Sequence, residues 1–286
     1  MPAVAQGHPP SRGLIHHNPI VAYFLIAYAF SWLLGGVLIA GYHGLVMAPT
    51  WLHYVSAFGP MVAAIVVTAA RDGRAGLAEL WQRVIRADVG LRWWLVALGT
   101  PLALGVVAAL VSTFEQGALP DVALFGEVDY LGNIGVLAAL GLWIATYGFG
   151  EEIGWRGFAL HRLQSGGWIR AAVIIGVLWG AWHLPYFFYK DNFIALGMGG
   201  FVGYLISIVM GSILLAWIYR GSGNSILMVA LWHGTFDFVS ASPIAAGSAN
   251  AVISVVVITW VLVILWQAKI SQSSPPGTEA LHPPDE

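Results

Sequence analysis

Apolar stretches about twenty residues long recur along the whole chain, separated by short polar breaks, and no other feature restricts its folding so tightly. Wound as an α-helix at ~1.5 Å per residue, such a stretch crosses a hydrocarbon core of ~30 Å with its backbone hydrogen bonds satisfied internally. The length of the runs suits helices and not membrane β-strands, which need only about ten residues each. Of the 286 residues 58% are hydrophobic and 9% charged, whereas a soluble domain carries roughly 25% charged residues. So little charge would not cover a water-exposed surface. The expected fold is therefore all-α, a polytopic transmembrane helical bundle.

Eight spans are predicted, at about 20–41, 51–70, 92–112, 132–150, 169–188, 196–219, 224–241 and 248–268. The first apolar run, from about Pro19 to Ala40, is longer than the ~7–15 residues of a signal-peptide core and reads as a retained span. Residues 1–18 and 271–286, rich in Pro, Ser and Gly, read as disordered tails around a transmembrane domain at 19–270. Lys and Arg accumulate in cytoplasmic loops. With the N-terminus inside, Arg12, Arg71, Arg74, Arg83, Arg86, Arg92, Arg156, Arg162, Arg170, Arg220 and Lys269 all fall in or near inner ends. Only Lys190 falls outside, with the acidic stretch from Glu115 to Tyr130. The prediction is an integral, multi-pass protein of the lipid bilayer with both termini cytoplasmic. The stretch from Asp72 to Gly90 mixes Arg with Leu, Trp, Val and Ile, and reads either as an amphipathic helix on the inner surface or as an ordinary basic loop.

A net charge of -2 gives no basic bias, so no nucleic-acid partner is expected. With no cysteine, the chain has no disulfide, thiolate nucleophile or Cys-ligated metal, and any metal would be held by His, Asp or Glu.

An ionisable group at the centre of a spanning helix costs ~2.5–3.5 kcal/mol on insertion scales, so each needs a reason. Outside loops and tails these are Glu151, Glu152, Arg156, His183, His233 and Asp237, confined to three spans. Glu152 and Arg156, four apart, share a helix face and suit a supporting ion pair. Glu151, ~100° around the helix, points elsewhere and is left free for proton transfer. His233 and Asp237 are likewise four apart on one face, and Pro185 follows His183 closely. Counting ~1.5 Å per residue from the inner ends puts Glu151, His183, His233 and Asp237 near one depth, ~14–20 Å. The GxxxG pairs Gly150/Gly154 and Gly176/Gly180 would let these helices approach closely. A lone membrane histidine is commonly a satisfied hydrogen-bonder. That structural reading is given to His43 and His53, near outer ends, and to His161 among inner arginines.

Neither an HExxH zinc helix nor a GxSG serine motif occurs, and GFGE at Gly148–Glu151 has Glu where intramembrane aspartyl proteases have the Asp of GxGD. What remains resembles the CPBP family of CAAX proteases and bacteriocin-processing enzymes, also called the ABI or type II CAAX endopeptidase family. Its motifs occur in order: EExxxR at Glu151–Arg156, FxxxH as Trp179 to His183, and HxxxN/D as His233 to Asp237. The resemblance is specific over about residues 140–240, and HNPIVAYFLIAYAFSW and AFGPMVAAIVV resemble bacterial members, which implies a bacterial plasma membrane. Trp179 replaces the usual Phe, a departure that bears on packing and not on chemistry.

The resemblance implies an intramembrane endopeptidase that hydrolyses membrane-associated peptides or proteins. Glu151 would activate water with help from His183. His233 and Asp237 would bind the scissile carbonyl and its oxyanion or hold a metal, and Glu152 with Arg156 would shape the site. An ionised Asp237 would repel an oxyanion unless protonated, paired with a histidine or metal-bound. Glu151, His183, His233 and Asp237 include donors enough for Zn2+ with a bound water, so a zinc mechanism and a metal-free glutamate mechanism both stand. The site is expected in a cavity open toward the cytoplasm. CAAX specificity is not carried over, since substrate choice depends on cavity shape. The rival classes are an ion- or proton-coupled transporter using the same buried groups, and a non-proteolytic scaffold or immunity protein.

Overall fold

Each long apolar stretch folds into a helix, and the polar breaks become the turns between them. The computed structural model describes residues 13–273, so the predicted tails lie outside the described residues except for 13–18 and 271–273. The bundle is built of α1 (Pro19–Tyr42), α2 (Leu52–Val84), α3 (Leu91–Gln116), α4 (Val136–Gly166), α5 (Trp168–Phe188), α6 (Gly199–Gly221), α7 (Ile226–Ser240) and α8 (Ser248–Ile270). Asn18 caps α1 by accepting from the Val21 amide, with Pro19 at the first helical position, where its missing N–H costs nothing. A short antiparallel pair, Glu127–Val128 with Gly132–Asn133, lies in the connection from α3 to α4.

Among the described residues seven helices, not eight, are long and apolar enough to cross a membrane. The exception is α7, whose 15 residues reach only about 22 Å at 1.5 Å per residue. The Ser225 hydroxyl accepts from the Met228 amide and starts the helix late, and the Ser242–Pro243 turn follows its end. Trp232, His233, Gly234 and Phe238 are among its many buried residues. A helix enclosed by its neighbours does not have to span the lipid by itself. The basic stretch after residue 70 is helical: α2 bends at Gly73 and continues to Val84, with Leu80, Arg83 and Val84 buried along one side.

Small residues bring the site helices together. A Cβ on Gly154 would stand 2.5 Å from the Pro60 backbone of α2, and one on Gly234 would stand 2.5 Å from the Ile144 Cα, so α4 touches both α2 and α7 almost backbone to backbone.

The two ends of the bundle are chemically distinct. At one end Arg83 donates to the Gly157 carbonyl (2.8 Å) and to the Tyr219 hydroxyl (2.9 Å). Arg86 donates to the Gly223 carbonyl at 2.7 Å, and Arg162 pairs with Asp72 at 2.7 Å. At the other end Lys190 pairs with Asp129 at 2.7 Å, the Tyr54 hydroxyl donates to the Asp129 carbonyl at 2.6 Å, and Ser248 donates to Glu115.

Candidate active site

The segment of α4 that carries the glutamates is not a regular α-helix. It runs as π-turns over Ile144–Glu151 and again over Trp155–Leu160, with the short α-helical stretch Glu152–Gly154 between them. The helical continuation through the motif is therefore present, but with wider turns than the expected α spacing. Such π segments concentrate at functional sites, where the added residue re-aims the side chains around it.

Glu151 and Glu152 diverge, as their spacing requires. Glu151 is 1% exposed and forms part of the wall of a cavity of about 710 Å³. Its Oε2 accepts from the Trp179 indole N–H at 2.6 Å and from that of Trp155 at 3.3 Å. Glu152, fully buried behind that wall, accepts from Arg156 at 2.7 Å, and its Oε1 lies 2.8 Å from Nδ1 of His233. Arg156 also stacks its guanidinium over the Trp179 ring at 4.7 Å. This layer meets the high cost of burying a charge by pairing it.

His183 and His233 face the same cavity as Glu151. His183 lies just past the last turn of regular helix in α5, where the chain tightens into 3-10 turns beginning with Leu184 and Pro185. Its Nδ1 is 2.8 Å from the Trp179 carbonyl, an acceptor only, so Nδ1 carries the proton and the lone pair sits on Nε2. His233 has a carboxylate beside each ring nitrogen, Glu152 at Nδ1 and Asp237 at Nε2, the latter at 3.4 Å. Asp237, with 24% of its side chain exposed, is the most accessible of these groups and also lines the cavity. Glu151, His183, His233 and Asp237 thus meet on one surface. Glu152 and Arg156 lie behind it.

Two features were not anticipated. Trp179 does more than pack, because its indole donates to the Glu151 carboxylate, which the phenyl ring usual at this position could not do. His53 also belongs to the cavity wall: it is buried, with Nδ1 2.8 Å from the Tyr189 hydroxyl and Nε2 2.8 Å from the Tyr147 hydroxyl. The signal available was Tyr147, four residues before Glu151 on the same helix. Burial pushes the Tyr189 hydroxyl up, and burial with the nearby Asp129 charge pushes Tyr130 up to about 12, so both phenols near His53 are neutral at physiological pH. His161 lies at the opposite end, against Glu79 and Tyr219.

The mouth of the cavity lies at one end of the bundle. Its exposed lining residues Asn192, Leu196, Gly203, Ala241 and Asn250 lie in the half of the bundle toward Lys190, and toward the arginine-rich end the lining reaches no further than Leu215 and Ile258. The cavity opens away from the arginines, not toward them. Helix α4 accounts for the closed floor, since Trp155, Arg156, Phe158 and Leu160 are fully buried there.

The donors do not make a zinc site as they stand. Among the described residues no three His, Asp or Glu side chains are grouped to hold a metal ion. Both nitrogens of His233 already face carboxylates, and Oε2 of Glu151 already accepts from two indoles.

The Type II CAAX prenyl endopeptidase Rce1-like family model matches residues 133–239. The CAAX prenyl protease 2 of Methanococcus maripaludis is 25% identical over 133 residues, 45% of this chain and 48% of the relative. The match thus spans about half of that curated relative's length. Every residue of the EExxxR, WxxxH and HxxxD motifs lies within the matched segment. The family match covers residues 133–239, the part of the chain that builds most of the cavity wall.

Proposed function

We propose that this chain is an intramembrane endopeptidase that hydrolyses a peptide bond with water activated by Glu151. The observation that carries the reading is the buried Glu151 carboxylate on the wall of a cavity it shares with His183, His233 and Asp237. Trp179 and Trp155 hold Oε2, which leaves Oε1 to accept a proton from water. His183, with its lone pair on Nε2, is placed to accept from the same water and orient it toward a carbonyl carbon. Attack moves charge onto the carbonyl oxygen, and the positive ring of His233, when protonated, stabilises that developing oxyanion electrostatically. Asp237 beside Nε2 and Glu152 beside Nδ1 favour the protonated ring, and Asp237 is then paired with a histidine and no longer repels the oxyanion. The proton taken by Glu151 passes to the leaving amine as the carbon–nitrogen bond breaks. No step requires a metal.

The name of the Methanococcus maripaludis relative supplies the first substrates to try, prenylated CAAX peptides, alongside other membrane-proximal peptides. In detergent or liposomes, Glu151→Gln is expected to lower kcat by roughly 10²–10⁴, while a zinc chelator leaves the wild-type rate unchanged. Equal cleavage by wild type and Glu151→Gln rejects Glu151 as the base. Loss of cleavage on chelation, restored by added zinc, rejects the metal-free route.

A further inference from the structure

The closed and open ends of the cavity fall on chemically opposite ends of the bundle. Arg71, Arg74, Arg86, Arg92, Arg162, Arg170 and Arg220 all lie in or beside the turns joining α2 to α3, α4 to α5 and α6 to α7, and those turns form the closed end. They are tied to one another through Arg86 with Gly223, Ser225 with the Arg86 carbonyl, and Arg162 with Asp72. At the open end Lys190 is the single Lys or Arg, among Glu115, Asp121, Glu127, Asp129 and Asp191. Lys and Arg in short loops are retained on the cytoplasmic side of a membrane during insertion. An asymmetry this large leaves the open end on the other side.

The cavity follows that axis. From Asn192 and Asn250 at the mouth it passes Ser254 and Tyr204 to Glu151 and His183. Below Glu151 the path is blocked by the Glu152–Arg156 pair and by Trp155, and beyond these Arg83 is clamped to Gly157 and Tyr219. Water and peptide therefore reach the base from the mouth and not through the arginine-rich floor.

We infer that the peptide bond is presented to Glu151 from the non-cytoplasmic face of the membrane, so the substrate class is a polypeptide segment exposed on that face: an exported peptide, or the outward-emerging end of a membrane segment. The inference rests on the peptidase reading for its substrate and on the cavity and the charge asymmetry for its direction.

The absence of native cysteine makes the direction directly measurable. Single-cysteine variants of the full chain, Asn192→Cys at the mouth, Ser254→Cys on the cavity wall and Ser165→Cys in the turn between α4 and α5, are expressed in cells and treated with a membrane-impermeant maleimide. Asn192→Cys and Ser254→Cys are expected to label fully in sealed cells, and Ser165→Cys only after the membrane is permeabilised. Protection of Asn192→Cys or Ser254→Cys in sealed cells overturns the inference, as does labelling of Ser165→Cys there. Labelling needs no turnover, so its failure is separable from a failure of the Glu151→Gln cleavage test.

Discussion

Around Glu152 and Trp155 the bundle is filled, and toward Lys190 it is hollow. In the filled half every buried charge has a partner: Arg156 with Glu152, and Arg83 with Gly157 and Tyr219. In the hollow half Glu151, His183 and Asp237 look into the cavity, with His53 held between two tyrosine hydroxyls on the same wall. The two glutamates of one motif are adjacent in sequence, yet they belong to different halves. The difference teaches that the motif joins an enclosed, paired carboxylate to one that faces the cavity, and that the two should fail differently when changed.

Arg156→Met tests the contrast most severely. It removes the arginine partner of a fully buried Glu152 and leaves only His233 beside it, at a cost of ~3–5 kcal/mol. Thermal unfolding in detergent should show a large drop in Tm that Glu151→Gln does not share. If both variants melt like wild type, the filled half is not the support described here. Gly154→Ala should also lose stability, by about 1–3 kcal/mol, because the new methyl meets the Pro60 backbone. An unchanged Tm would mean that α4 and α2 are further apart than the structure has them. Trp179→Phe sharpens the comparison from the other side: the ring is kept, and only the indole N–H to Glu151 is removed. A hydrogen bond to a charged group is worth ~1.5–3 kcal/mol, so kcat should fall by about tenfold or more with Tm nearly unchanged. A kcat equal to wild type would show that Trp179 only packs.

Much of this was legible in the residues. The apolar runs marked where the helices lie, because lipid demands a minimum length of apolar helix and loops escape that demand. The spacing of Glu151, Glu152 and Arg156 foretold one paired and one unpaired carboxylate, since side chains four apart share a face and neighbours do not. The rest depended on contacts that no local pattern encodes. His53 reads as an isolated histidine until α2 is packed beside Tyr147 and Tyr189. Trp179 reads as a bulky Phe until its ring nitrogen is aimed at Glu151. Charge counting separates the two ends of the bundle, but which end is hollow depends on where α6 and α8 line a cavity beside the site helices. That placement is set by tertiary packing. The shortness of α7 was hidden as well, because the span predicted at 224–241 takes in Asn224, Ser225 and Ala241, which lie outside the helix.

The π-turns of α4 have a consequence that substitutions do not probe. Each wide turn holds an added residue, so part of the site's geometry resides in the count of residues between Ile144 and Leu160 and not only in their identities. Removing one residue from such a turn lets it relax to an ordinary α-turn and rotates everything beyond it by ~100°. The glutamates would keep their neighbours in sequence and lose the cavity. In this helix a change of length is a change of aim.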